Sequence, residues 1–280
     1  MGKFDDVLLA SDFDNTILNT ERPRRTGGPI PPVSQGNLTA IRYFMAEGGR
    51  FAVATGRALP AFRLFADQIS MNAPAVVCNG GALYDFQTES YLDIMELPEE
   101  IRGQGQAVLD RFPTAAVEAY HLDDVIHAVR PNLYTRQHEH VTHAGVEPVS
   151  ALTDVPVPLV KIMFEDEPQS LRSLWDYVRQ QPWAADYEIF FSDRSLLEVT
   201  RKGASKGAMV ARLAERLGIS REHIYCAGDE NNDLSMLTMA AQGFAPANCV
   251  ENVKNCGAAI VADCDHDTLA EIVAILDKRY

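Results

Sequence analysis

The chain has 280 residues, enough for one large hydrophobic core or for two domains. Its 46% hydrophobic and 23% charged residues are typical of a globular protein, and every apolar run is shorter than the ~20 residues that span a bilayer. The formal net charge of −14 argues against nucleic acid or an anionic membrane as a partner, because both require a basic surface.

The chain begins with a polar segment, Met1–Asp6, that lacks the apolar stretch of a signal peptide. The five cysteines are odd in number and form no C-x-x-C pair, so we expect reduced and mostly buried thiols. Both observations favour a cytoplasmic protein.

Two carboxylates follow the first predicted strand. The apolar run Val7–Ala10 predicts a short buried strand, after which come Asp12 and Asp14. Strand residues i and i+2 lie on one face, so both carboxylates can reach the same small volume, where Mg²⁺ or a shared proton would relieve their repulsion. One carboxylate can then attack a substrate while the other transfers protons. A simple turn at the end of a strand fits the same residues, so the choice between a turn and a catalytic pair depends on the segments further along the chain.

The first third of the chain alternates strands with helices. A helix capped by Ser34 follows the first strand, and further strands are predicted at Phe51–Ala54 and Ala75–Cys78, with a second helix between them. This order predicts a parallel sheet covered by helices, in which ligands bind at the carboxyl ends of the strands.

The middle third has a different pattern, typical of an α+β domain with one sheet and helices on one face. The elements predicted here are strands at Tyr91–Ile94, Val117–Tyr120, Val125–Val129 and Val160–Phe164 and helices near 101–112 and 169–180.

The alternating pattern returns near Leu196, with a helix after Lys206, a strand at His223–Ala227 and a terminal helix over Thr268–Leu276. We therefore predict an α/β fold with a doubly wound, Rossmann-like parallel-sheet core. In this prediction the core comprises residues 1–83 and 196–280, and an inserted α+β domain comprises residues 84–195.

Four polar segments fall at predicted sheet ends, and the two carboxylates after the first strand form one of them. The second carries Thr55, whose hydroxyl and neighbouring amides can bind a phosphate oxygen. The third carries Lys206 at a helix start, where a cation and a helix terminus together favour an anion. The fourth is the acidic turn Gly228–Asp233, in which Asp229 can share a metal with the first pair. Each segment alone also fits a turn, a solvated lysine or a helix cap, whereas the four in this order indicate a phosphate site.

With these segments the sequence resembles the haloacid dehalogenase-like (HAD) phosphohydrolase superfamily. DFDNT, ATGR, SKG and GDENND match its four motifs in order. The long insertion between the second and third motifs resembles a type IIB cap, and CNGGALYD and LEVTRKGASKGAMV resemble the junctions that flank such caps in Cof-type phosphatases. The resemblance covers the whole chain and implies a mobile cap that closes over the substrate.

The resemblance also implies a metal and a reaction. Asp12 would be the nucleophile that forms an aspartyl-phosphate, and Asp14 would protonate the leaving oxygen and then activate water. Mg²⁺ would be held by the Asp12 carboxylate, the Asp14 backbone carbonyl and Asp229.

Further residues would hold the phosphoryl group. The resemblance assigns this role to Thr55, the Gly56 amide and Lys206. Asn232 would contact the phosphate or position the nucleophile, and Asp233 would support Lys206 or a metal-bound water.

The implied function is hydrolysis of a small phosphorylated metabolite, such as a sugar phosphate, a phosphorylated cofactor or a nucleotide, by a monomer or small homo-oligomer. Asp14 stands where ion-pumping relatives carry threonine, which favours a phosphatase or a phosphomutase. The two carboxylates do not distinguish a phosphatase from a phosphomutase, so a phosphomutase remains the alternative function. A non-catalytic sensor of a phosphorylated ligand is a third class, against which the complete set of motif residues argues.

Two features depart from the family pattern. Asn15 stands where glycine is usual, and asparagine is the next-best residue for a left-handed turn. The segment Asn19–Asn37, which contains Arg22, Arg24 and Arg25, is longer than the usual link. We favour a solvated surface loop over an arginine-lined flap on an anionic substrate, because loops tolerate insertions.

The predicted insert contains two weaker signals. Three histidines in the segment His138–His143 are interpreted as solvated loop residues rather than zinc ligands, because no matching ligand cluster stands nearby in the sequence. His121, Asp123 and Asp124 fall between two predicted strands, where a hairpin tip facing the active site would help to select the substrate.

Overall fold

A computed structural model describes residues 2–122 and 125–280 of the chain, and two compact units are distinguished. The core unit comprises Met1–Gly56, Phe65–Asp93 and Ser205–Tyr280, and the insert unit comprises Arg57–Leu64 and Ile94–Ala204. The predicted domain boundaries at 83/84 and 195/196 stay a prediction.

No helix within the described ranges is both long enough and apolar enough to cross a membrane.

A parallel five-stranded sheet forms the centre of the core unit. Its strands are β1 (Leu8–Ser11), β2 (Arg50–Val53), β12 (Ile224–Ala227), β13 (Gln242–Pro246) and β14 (Ala259–Val261). They lie in the order β14-β13-β12-β1-β2, and Ser11 at the end of β1 is opposite both Ala227 and Val53. The strand order reverses between β1 and β12, which is where open α/β sheets bind ligands.

Helices accompany this sheet at the predicted places and at others that were not predicted, which confirms the doubly wound α/β core. They are α1 (Glu21–Thr26), α2 (Gln35–Ala46), α7 (Lys206–Leu217), α8 (Leu234–Met239), α9 (Glu251–Lys254) and α10 (Thr268–Arg279), while α3 (Leu59–Ala66) carries residues of both units. The Ser34 side chain accepts a hydrogen bond from the Asn37 amide at the start of α2, as a capping serine should.

The third predicted strand does not join the parallel sheet as an element. β3 (Ala75–Val77) pairs antiparallel with β4 (Ala82–Asp85), and β5 (Ser90–Ile94) completes a separate three-stranded sheet. The chain reverses tightly over residues 78–80, where φ is positive at each residue, so β4 returns directly beside β3. A one-residue parallel bridge, Ala54 to Val76, links β3 to the parallel sheet. The prediction that Tyr91–Ile94 belongs to the sheet of the insert was therefore wrong.

A six-stranded sheet forms the centre of the insert unit, in the order β10-β11-β9-β6-β7-β8. Its strands are β6 (Ala116–His121), β7 (Ile126–Val129), β8 (Val146–Val149), β9 (Leu159–Glu165), β10 (Tyr187–Asp193) and β11 (Leu196–Arg201). One face packs into a hydrophobic core with α4 (Glu100–Arg111) and α6 (Pro168–Val178), which confirms the predicted α+β pattern. The prediction that helices lie on one face only was wrong, because a further helix contacts Glu118 and Glu165 on the opposite face.

A third helix of the insert unit was not predicted. α5 (Leu133–Thr142) begins at Asn132, whose side chain accepts from the amides of Tyr134 and Thr135 in a capping box. The segment His138–His143 therefore lies on this helix and its C-cap, and the predicted loop was wrong.

Other predictions concern single residues. The five cysteines are free thiols, and four of them are buried. Asn15 has φ of 55°, the left-handed conformation expected of it. The arginine-containing segment includes α1, where Arg22 lies 3.5 Å from Asp265, so this segment is not simply a loop. Asp123 and Asp124 of the predicted hairpin tip lie outside the described residues.

Candidate active site

The neighbouring carboxyl ends of β1 and β12 bring two carboxylates together. Because Ser11 and Ala227 are opposite each other in register, Asp12 and Asp229 follow adjacent strand ends. The Asp12 amide donates to the Ala227 carbonyl at 2.8 Å, which continues the strand pairing into the site. One oxygen from each of Asp12, Asp229 and Asp233 lies within 4.8 Å of the others. The first two carboxylates are therefore close enough to share one cation.

Lys206 connects two of these acids. Its Nζ lies 2.6 Å from Asp12 Oδ1 and 2.7 Å from Asp233 Oδ1, and its side chain is buried. α7 begins at this lysine, with Ser205 as its N-cap. The start of α7 packs tightly on the 78–80 turn, because a Cβ added at Gly80 would lie 2.1 Å from the Ser205 carbonyl oxygen. Backbone packing therefore fixes the position from which the lysine reaches into the site.

Asp233 organises the acidic turn rather than offering a free carboxylate. Its Oδ2 accepts hydrogen bonds from the amides of Asp229 and Glu230 at 2.9 and 3.0 Å, while its Oδ1 faces the Lys206 ammonium. Asp229 is held from the other side by Thr16, whose hydroxyl donates to Asp229 Oδ1 at 2.9 Å. Both oxygens of Asp233 are thus engaged in positioning its neighbours.

A second group of polar residues is joined through Asn79. The Asn79 amide donates to the carbonyl of buried Thr55 at 3.1 Å, and its side-chain oxygen accepts from Asn232 Nδ2 at 2.8 Å. A Cβ added at Gly56 would lie 2.9 Å from Asn79 Oδ1, so the backbone passes very close to this side chain. Thr55 and Asn232 are thereby joined by hydrogen bonds through Asn79, and Gly56 lies close to the same side chain, so we call these residues the Asn79 layer.

Burial and like charges strongly perturb the acids. Burial, together with the carboxylates of Asp233 and Asp14, raises the pKa of Asp12 to about 7 against the opposing effect of Lys206. Burial and the carboxylates of Asp12 and Asp233 raise the pKa of Asp229 well above its usual value. Burial alone would lower the pKa of Lys206, but Asp12 and Asp233 raise it, so the lysine stays protonated.

The donor set fits a hard divalent cation. Three buried carboxylates face one ammonium group, which leaves excess negative charge in the cluster. The candidate ligand atoms are all oxygens, which Mg²⁺ prefers. A divalent cation would neutralise this charge, whereas in its absence the raised pKa values indicate that the acids retain protons.

The structure brings most of the predicted site residues to one edge of the parallel sheet. Asp12, Lys206 and Asp229 meet directly or through Asp233, and the phosphate-contact candidates form the Asn79 layer. Asp14 is partly exposed and lies close enough for its charge to act on Asp12.

Sequence reasoning missed two residues of the site. Thr16 ends the DFDNT segment, and Asn79 directly follows the Cys78 that closes a predicted strand. The same signal that selected the other residues, a polar side chain just past a strand end, would have found Asn79.

Comparisons with known proteins agree with this architecture. The family model of haloacid dehalogenase-like hydrolases matches residues 9–273. The chain is 24% identical to a 5-amino-6-(5-phospho-D-ribitylamino)uracil phosphatase of Bacillus subtilis, over 95% of this chain and 96% of the relative. It is 23% identical to a pyridoxal phosphate phosphatase of Escherichia coli, over 95% and 97%. A solved HAD subclass IIB sugar phosphatase has the same fold, with a TM-score of 0.78 at 20% identity, covering 97% of this chain and 99% of that one.

Proposed function

The chain belongs to the haloacid dehalogenase-like hydrolase family, as its four motifs indicated, and on this basis we propose that it is a Mg²⁺-dependent phosphatase acting through an aspartyl-phosphate. The observation that carries the proposal is the position of Lys206, whose ammonium bridges Asp12 and Asp233 beside the Asp229 carboxylate. This arrangement provides a nucleophile, a fixed positive charge and a set of oxygen ligands within one buried cluster.

The oxygen donors and the excess negative charge of the cluster support a Mg²⁺ site. Asp12, Asp229 and the Asp14 backbone carbonyl would hold the ion, which when bound supplies positive charge beside the phosphoryl group. Asp233 would position Asp229 and Lys206, since both of its oxygens already accept hydrogen bonds.

Asp12 and Asp14 would divide the chemistry between them. The Asp12 carboxylate attacks phosphorus, and the bond from phosphorus to the substrate oxygen breaks as Asp14 donates a proton to that oxygen. Asp14 then takes a proton from water, which attacks the aspartyl-phosphate, releases inorganic phosphate and restores Asp12. The ammonium of Lys206 favours the ionised form of Asp12 and stabilises charge on the transferring group.

The phosphoryl oxygens would be held by Thr55, the Gly56 amide and Lys206. Asn232 belongs to the same layer through its hydrogen bond to Asn79. Its side-chain oxygen is buried and meets no hydrogen-bond donor within residues 2–122 and 125–280, so it is available to a donor on the substrate or on a protonated phosphate.

The substrate class is a small phosphomonoester. The relatives are named for a phosphorylated ribitylamino-uracil and for pyridoxal phosphate, and a structural neighbour is called a sugar phosphatase. We therefore propose a sugar phosphate, a phosphorylated cofactor or a nucleotide as the substrate of this chain. A cytoplasmic location stays a prediction.

The test is phosphate release from p-nitrophenyl phosphate and from a panel of phosphorylated metabolites, with and without Mg²⁺. Asp12→Asn keeps the shape of the side chain but removes the nucleophile, so we expect a loss of activity of about 10³-fold or more. Glu230→Gln is the matched control, because Glu230 neighbours Asp229 in the same turn but is exposed. Activity of Asp12→Asn within tenfold of the wild type would contradict the proposal.

The same assay separates the alternatives. A phosphomutase would need a bisphosphate activator and would return the phosphoryl group to a sugar, so steady phosphate release without an activator argues against it. If the protein were a non-catalytic sensor, the wild type and Asp12→Asn would both bind phosphorylated ligands and neither would release phosphate.

A further inference from the structure

The insert unit carries ionisable side chains on the sheet face opposite its hydrophobic core. Val117, Ile162 and Phe164 belong to that core, so the alternate positions Glu118 and Glu165 lie on the other face. Both glutamates are fully buried, with 0% exposure. Two buried carboxylates on one face require a proton or a cation between them.

A histidine from α5 completes this cluster. His138 Nδ1 lies 3.0 Å from Glu118 Oε2 and 3.7 Å from Glu165 Oε1. One ligand atom from each of these three residues lies within 4.8 Å of the others. The amide group of Asn132, the N-cap of α5, donates to the Glu165 carbonyl at 3.0 Å, so the helix is anchored to the strand that carries the second glutamate.

The neighbouring lysine pairs with a third glutamate, while its charge also acts on Glu118 and Glu165. Lys161 Nζ lies 3.2 Å from Glu198 Oε2 and 4.4 Å from the centre of the Tyr120 ring. Counting Glu118, Glu165 and Glu198 against this one ammonium leaves two negative charges when His138 is neutral. A divalent cation would balance them.

The Glu165 carboxylate shows most clearly that this cluster has an excess of negative charge. Both of its carboxylate oxygens are buried, and no donor in the described part of the chain meets hydrogen-bond geometry with either of them. Burial and the Glu118 carboxylate raise the pKa of Glu165 to about 9, against smaller opposing effects of Thr135 and Lys161. Glu118 differs, because the Tyr120 hydroxyl donates to it and His138 faces it.

We propose that Glu118, His138 and Glu165 form a second metal site, which binds a divalent transition-metal ion such as Zn²⁺ within the insert unit. One imidazole nitrogen and two carboxylates suit Zn²⁺ or Mn²⁺ better than Mg²⁺, which prefers oxygen ligands alone. Three protein ligands leave a position for water. The ion would join α5 to β6 and β9, so its role is to fix this helix on the sheet.

The competing account is a network without metal, in which Glu165 retains a proton and His138 pairs with Glu118. The two accounts differ in zinc stoichiometry. The protein is stripped with a chelator, supplied with excess Mg²⁺ and titrated with Zn²⁺ against a chromophoric chelator, in an Asp229→Asn background that disables the oxygen-ligand site of the core unit.

We expect one Zn²⁺ per chain in this background. Binding should weaken at least about tenfold in both Glu165→Gln and His138→Ala, because each removes a ligand. His140→Ala is the matched control, since His140 lies on the same helix but is exposed, and it should bind like the parent. Co²⁺ supplies a spectroscopic check, because its visible absorption should change on binding and this change should be lost in the same two variants.

Thermal unfolding of each variant is the control that shows whether the variant is folded. Zn²⁺ should raise the melting temperature of the parent and of His140→Ala, but not that of Glu165→Gln, which preserves the side-chain shape and should fold. The proposal is overturned if no Zn²⁺ binds in the Asp229→Asn background, or if binding is equal in the parent, Glu165→Gln and His138→Ala. Because the readouts are metal content and stability, this result is independent of phosphatase activity.

Discussion

The two units each bury a cluster of carboxylates beside one lysine, but the lysine is used differently in each. In the core unit, the Lys206 ammonium contacts two of the three clustered acids directly. In the insert unit, Lys161 pairs with Glu198, and Glu118 and Glu165 face a histidine instead. The ammonium of the first cluster therefore contacts its acids directly, whereas that of the second pairs with a neighbouring glutamate and acts on Glu118 and Glu165 through its charge.

This difference teaches how donor chemistry separates two acidic sites of similar burial. Oxygen ligands suit a hard metal, and the metal together with a permanent ammonium supplies the positive charge that a transferring phosphoryl group needs. Carboxylates beside an imidazole suit a borderline metal that fixes structure. Burial alone does not distinguish these uses, because both clusters contain an acid whose pKa is strongly raised.

Replacing the two lysines gives the largest contrast. Lys206→Met should lower kcat/KM for phosphate release about 10²–10³-fold, because it removes a preorganised charge from the transferring group. Lys161→Met should lower activity much less, but should cost about 3–5 kcal/mol of unfolding free energy, because it removes the ammonium that faces the buried Glu198 carboxylate. Urea unfolding and steady-state kinetics at a temperature where both proteins are folded measure the two effects. Equal losses of activity would remove the distinction between the clusters.

The core cluster could be predicted from sequence because of where its residues stand along the chain. Asp12 and Asp229 follow apolar runs that read as buried strands, and parallel strands place their carboxyl ends at one edge. The pairing of β1 with β12 needed the structure, since these strands are more than 200 residues apart in the chain. The prediction for β3 missed the antiparallel pairing that the positive φ values at 78–80 create, because the reversed chain returns as β4 beside β3, which meets the parallel sheet through a single bridge.

The insert cluster could not be predicted, for a physical reason. Glu118 and Glu165 alternate with core residues, and such a pattern normally indicates a sheet face open to water. Their burial depends on α5, whose polar sequence lacks apolar periodicity and buries a single residue, Thr135. His138 was interpreted as a solvated loop residue because no matching ligand cluster stands nearby in the sequence, and a helix without an apolar stripe gave no signal of what it covers.

Removing Mg²⁺ should have the next largest effect, on stability as well as on activity. Without a cation, Asp12 retains a proton up to a pH of about 7, so Mg²⁺ competes with that proton below this value. The increase in melting temperature on adding Mg²⁺ to the stripped protein should therefore grow as the pH rises from 5 to 8. We expect several degrees at pH 8, since 1 kcal/mol corresponds to about 2–4 °C in a chain of this size class.

The controls for the Mg²⁺ effect come from both clusters. Asp229→Asn should lose it, while Glu230→Gln and Glu165→Gln should keep it. A Mg²⁺ effect that is lost in Glu165→Gln would mean that the insert cluster, rather than the core cluster, is the main Mg²⁺ site.

Substituting Glu165 should give the smallest effect, and its sign follows from the raised pKa. The native state holds the Glu165 proton up to a pH of about 9, whereas the unfolded chain releases it near 4.5. Between these values the native state binds more protons, so the wild-type side chain becomes increasingly destabilising as the pH rises from 4.5 to 9. In chelator, Glu165→Gln should therefore match the wild type at pH 4.5 and already exceed it at pH 6 by about 2 kcal/mol, or ~4–8 °C, with a larger difference at pH 8. Zn²⁺ should remove this advantage, because it stabilises the wild type but not the variant. A variant that is less stable than the wild type at pH 8 in chelator would show that the Glu165 carboxyl stabilises the insert unit without any metal.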